Sequence, residues 1–87
     1  MEHELRQLIN EIIGGKYTGK LKVSKDNIGD SQFWTLMLYL DTEMTPLILA
    51  YEGTEEEFKD FVASEIKVRK LQNVRFWKGI KEYIEYE

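Results

Sequence analysis

Six cations and two large aromatic rings fall within residues 67–81: Lys67, Arg69, Lys70, Arg75, Lys78 and Lys81, with Phe76 and Trp77 among them and no acid. Cations with interleaved rings suit single-stranded nucleic acid, whose bases stack on the rings while its phosphates meet the charges. On that reading Lys70, Arg75, Trp77 and Lys81 would carry the contact. The same residues also have structural uses. Lys and Arg favour the negative end of a helix, lysines guard a sheet edge against pairing, and an indole can close the flank of a core. The preceding residues 31–66 hold eight acids and one base, and the net charge is −4. That sign disfavours non-specific nucleic-acid binding. The acidic and basic blocks can instead meet a partner protein, or a second copy, in complementary register.

The remaining chemical signals are incomplete. Gly14-Gly15-Lys16-Tyr17-Thr18-Gly19-Lys20 fits the first seven positions of a phosphate-binding G-x-x-x-x-G-K loop. Leu21 then stands where a Ser or Thr must ligate magnesium, and the expected context is helix–loop–strand rather than strand–loop–helix. Asp26, Asn27 and Asp30 suggest a calcium loop, but Ile28 and Gly29 break the alternation of oxygen ligands that such a loop needs. His3 is the single histidine and there is no cysteine. A His-based metal cluster or a nucleophile–histidine pair therefore cannot be assembled. Ser24, Ser31 and Ser64 lack a base. Glu55, Glu56 and Glu57 point in different directions on a helix, which argues against an acid–base pair. The residues imply no enzyme, no cofactor and no metal.

Eighty-seven residues make one domain. Apolar content of 43% and charged content of 32% fit a globular chain rather than a disordered one. The longest apolar runs, Leu36–Leu40 and Leu47–Tyr51, fall far below the ~20 residues of a membrane span. The polar, acidic start Met1-Glu2-His3-Glu4 is unlike a signal peptide. A cytoplasmic protein is the expectation.

Leu5, Leu8, Ile9, Ile12 and Ile13 recur at helical spacing, which predicts a helix over about 2–13 ended by Gly14-Gly15. Lys20–Lys25 alternates as a half-buried strand, and Asp26–Ser31 reads as a turn. Gln32–Leu40 reads as a central strand. Trp34, Leu36, Leu38 and Leu40 share one face; Phe33, Thr35, Met37 and Tyr39 share the other. Both faces are largely apolar, so both call for cover. Asp41–Thr45 reads as a hairpin loop, with Pro46 opening a strand over Leu47–Glu52 that Gly53 ends. Thr54-Glu55-Glu56-Glu57 forms a capping box, and a helix follows over about 55–70. Residues 73–87 alternate as a strand bent at Gly79, although Val74, Trp77, Ile80 and Ile84 also line up as a helix. The enrichment in Val, Ile and aromatic residues favours the strand, which would put Arg75, Trp77, Lys81 and Tyr83 on one face.

The order helix–strand–strand–strand–helix over about residues 3–70 is similar to that of a double-stranded-RNA-binding domain. That family grips phosphates with lysines at the start of its second helix. Here the place is held by Glu55-Glu56-Glu57, so the resemblance is one of topology and its function does not carry over.

The expected fold is α+β, an antiparallel sheet of three to four strands packed by two helices, the fourth strand coming from the C-terminal segment. The expected core is Leu5, Leu8, Ile9, Ile12, Leu36, Leu38, Leu47, Leu49, Phe58, Phe61, Val62 and Ile66. The expected function is that of a non-catalytic interaction module, acting on a protein partner or a second copy. Phe33, Met37 and Tyr39 would form the contact if no element covers them, joined by Arg75 and Trp77.

Overall fold

The computed structural model describes residues 1–40 and 46–86, and the expected hairpin loop at 41–45 lies outside them. Helix α1 covers Glu2–Ile13 and buries Leu5, Ile9 and Ile13. It stops at Gly14, whose φ of 75° is a left-handed conformation that glycine adopts without a Cβ clash. Strand β1 (Lys16–Tyr17) follows, then β2 (Leu21–Ile28), β3 (Ser31–Leu38) and β4 (Leu47–Glu52). Helices α2 (Glu55–Gln72) and α3 (Val74–Lys81) precede a short β5 (Ile84–Glu85).

Strands β2, β3 and β4 form an antiparallel sheet in that order. Alternation sends Leu36 and Leu38 of β3 inward with Leu21 of β2 and Leu49 of β4. Leu5 and Ile9 of α1 and Phe58, Val62 and Ile66 of α2 meet them in one buried cluster. The Trp34 ring stacks on Phe58 with centroids 5.5 Å apart, and its Nε1 donates to the Gly53 carbonyl at 2.9 Å. Each such fully buried large side chain contributes on the order of 1.5–3 kcal/mol.

The capping box forms as expected. The Glu57 N–H donates to Thr54 Oγ1, and the Thr54 N–H donates to Glu57 Oε1. The bond from the Thr54 N–H, with the Thr54 side chain second, favours the charged carboxylate and holds the Glu57 pKa below its ordinary value. The Glu4–Lys59 ion pair, 2.5 Å between charged atoms, ties α1 to α2.

Three expectations are corrected. The turn after β2 is shorter than Asp26–Ser31. The hairpin stays paired to Ile28 and Ser31, and only Gly29-Asp30 turn the chain. Gly29 takes φ 61° at the first turn position, the pattern that matches the twist of the flanking strands.

The C-terminal segment is not a bent strand. Asn73 Oδ1 accepts from the Phe76 N–H and starts α3, which buries Phe76, Gly79 and Ile80 on one helical face. Two residues remain extended as β5, and they pair with β1 instead of adding a fourth strand to the sheet. The core is also larger than expected: Ile13, Tyr17, Leu21, Trp34, Leu40, Phe76 and Ile80 are buried, while Leu8, Ile12, Leu47 and Phe61 are only partly so.

Among the described residues no helix is long and apolar enough to cross a membrane.

Candidate functional site

Because the helices pack against the inner residues, the other face of the sheet is left to the side chains of the intervening positions. The strand register arranges them in three rows. Lys22, Met37 and Ile48 form one; Ser24, Thr35 and Ala50 the next; Asp26, Phe33 and Glu52 the third. Phe33, Thr35 and Met37 are half-buried by their neighbours in the sheet, and Ile48 is 56% exposed. A large β-branched side chain left this open beside Met37 is the kind of apolar surface that a partner covers.

Tyr39 continues the Met37 end of the face. Its ring lies 5.6 Å from Lys20 Nζ, a cation–π distance. Its backbone is fixed from within the core: the buried Tyr17 hydroxyl donates to the Tyr39 carbonyl at 2.7 Å. The N–H of Tyr17 donates to Asn10 Oδ1, and Arg6 donates to the Tyr17 and Gly19 carbonyls. The end of the face is therefore braced by α1 through Tyr17.

The structure thus brings Met37 and Tyr39 together, with Ile48, and puts Phe33 on the same face two rows away, beyond Thr35. It does not join Arg75 and Trp77 to them. Both belong to α3, in the helical layer on the other side of the sheet.

The residues of the expected nucleic-acid face are brought together only in part. Lys70 Nζ donates to the Ile12 carbonyl at 2.8 Å, near the end of α1, and lies 5.7 Å from the Trp77 ring. Trp77 packs partly buried against the core. On α3, Trp77 and Lys81 stand four residues apart and share one side of the helix, while Arg75 turns to another, so the row of three that a strand would have given is reduced to a pair.

Two features escaped the sequence reading. Asp26 enters the outer face because β2 runs past the expected turn. Val68, Leu71 and Val74, at 48%, 82% and 74% exposed, form an apolar corner where α2 meets α3. Their only sequence signal was that they interrupt a run of cations.

A cleft of about 720 Å³ lies beside α1, lined by His3, Arg6, Gln7, Asn10, Glu11 and Lys16 among others. Arg6 and Asn10 are already engaged in holding β1 and the turn after it. Among the described residues no group of three or more His, Cys, Asp or Glu could hold a metal ion.

No protein-family model, curated protein or solved structure matches this chain.

Proposed function

We propose that this chain is a small non-catalytic interaction module that docks protein on the outer face of its sheet. The observation that carries the reading is the pair Met37–Ile48, with Phe33 further along the same face: apolar side chains where no described helix packs. Three paired strands and two packed helices hold this face rigid, so docking needs little ordering and its entropic cost is small. The chemistry of the cleft beside α1 favours a structural role, since its half-buried Arg6 and Asn10 are spent on backbone groups. The test is an unbiased selection. A displayed library of small β-rich domains is panned on the chain, and the binders are mapped by amide chemical shifts. Binders should perturb Phe33, Met37 and Ile48 and should be lost on Met37→Glu, with circular dichroism unchanged. Binders that cluster elsewhere and ignore Met37→Glu would refute the reading.

A further inference from the structure

The outer face carries its own charge complement. Its middle row, Ser24, Thr35 and Ala50, is small. On one side lie Lys22, Met37 and Ile48; on the other lie Asp26, Phe33 and Glu52. Two such faces can be laid together by a two-fold axis in either of two directions.

An axis parallel to the strands puts β2 over β4 of the second copy. Asp26 then faces Glu52 of the second copy, and the like-charge contact occurs twice. An axis along the middle row puts each strand over its own copy, running antiparallel, and exchanges the outer rows. Lys22 then faces Asp26 of the second copy, and Met37 faces Phe33 of the second copy. Each contact again occurs twice. Opposite charges meet, and a thioether meets an aromatic ring, a favourable contact. Glu52 meets Ile48 of the second copy at the β4 edge, where its carboxylate stays in water. The small middle row permits the approach of about 10 Å that stacked sheets require.

We propose, building on the reading of the outer face as the docking surface, that its occupant is a second copy of this chain in this antiparallel arrangement. Three strands about 4.8 Å apart and six residues long give a contact of roughly 14 by 20 Å. That is small for a stable interface, so the pair is reversible and concentration-dependent.

Sedimentation of the full chain at low salt, from micromolar to millimolar concentration, tests this. The wild type should show a monomer–dimer equilibrium. Lys22→Asp and Asp26→Lys should each weaken it by about tenfold or more, since each sets like charges against each other twice. An equimolar mixture of the two variants should recover the dimer, because in the mixed pair both contacts again join opposite charges. Circular dichroism checks that both variants fold. A wild type that stays monomeric throughout overturns the second copy as occupant, while the library selection decides the docking face separately. A dimer indifferent to both substitutions, or a mixture that fails to recover, overturns the arrangement.

Discussion

The Tyr17 hydroxyl donates to the Tyr39 carbonyl across twenty-two residues of chain, at 2.7 Å, and so joins the connector after α1 to the end of the central strand. Tyr17 is 1% exposed, and burial pushes its phenol up to about 12 from an ordinary value of 10.0. The folded state thus favours the neutral phenol. Its contribution is complete below pH ~10 and is lost as pH rises from there toward 12, on the order of 2–3 kcal/mol over the full window. Urea midpoints at pH 9 and pH 11 should fall further for wild type than for Tyr17→Phe. At pH 7 the variant should be about 1–2 kcal/mol less stable, because the Tyr39 carbonyl loses its donor. Equal pH slopes in the two proteins would contradict the assignment.

Leu36 and Met37 are adjacent in β3 but face opposite ways, Leu36 fully buried and Met37 on the outer face. Leu36→Ala should cost about 2–5 kcal/mol through lost transfer energy and a cavity. Met37→Ala should cost under about 1 kcal/mol. Denaturant unfolding of both variants measures the difference. Comparable losses would mean that the outer face is covered within the single chain.

The sheet was legible because Gln32–Leu40 alternates and because Thr54 and Glu57 announce a helix by reciprocal bonding. The outer face was legible for the same reason: period two assigns Phe33, Thr35 and Met37 to one side whatever lies above them. The C-terminal segment misled because Val74, Phe76, Lys78 and Ile80 also alternate. Four residues with that spacing fit a strand on one side as well as Phe76 and Ile80 fit one turn of a helix. The deciding signal was Asn73, an N-cap three residues before Phe76, which the aromatic and β-branched composition outweighed. Tyr17 was missed because a buried tyrosine in a glycine-rich connector follows no period. It is placed by hydrogen bonds to distant backbone.

Asn73→Ala should therefore loosen α3. The bond from the Phe76 N–H to Asn73 Oδ1 is 2.9 Å, and loss of such a cap costs about 0.5–2 kcal/mol. Hydrogen exchange at Trp77–Lys81 should accelerate while α1 and the sheet change little, and Asn73→Ser should restore protection. Unchanged exchange after Asn73→Ala would show that burial of Phe76 and Ile80 alone fixes this helix.

Thr54→Ala removes one half of the capping box and should cost about 1 kcal/mol. A carboxylate-specific signature accompanies it. The Glu57 pKa lies low chiefly because the Thr54 backbone N–H donates to its carboxylate, with the Thr54 side chain second; the variant keeps the first and loses the second, so it should move the pKa only part of the way back up. In wild type the Glu57 contribution is present above its unfolded pKa and fades as pH falls through the folded one. A carbon-detected titration of the Glu57 side chain reads the shift directly. A pKa indifferent to Thr54→Ala would break the link between cap and charge.

Lys70 decides between the two uses of the basic run. Its ammonium gives one of its three N–H donors to the Ile12 carbonyl and sits by Trp77, which fixes the side chain against α1. Lys70→Met should lower stability by about 1 kcal/mol, since it leaves the carbonyl without that donor. Anisotropy of labelled single- and double-stranded DNA and RNA should stay flat at physiological salt for wild type and variant alike. Lys67, Arg75, Lys78 and Lys81 are exposed, and at low salt their charge by itself would give weak binding that collapses with salt and ignores Trp77. Saturable binding that is lost on Trp77→Ala would instead require the ring to leave the core surface and stack on a base, and would restore nucleic acid as the ligand of this segment.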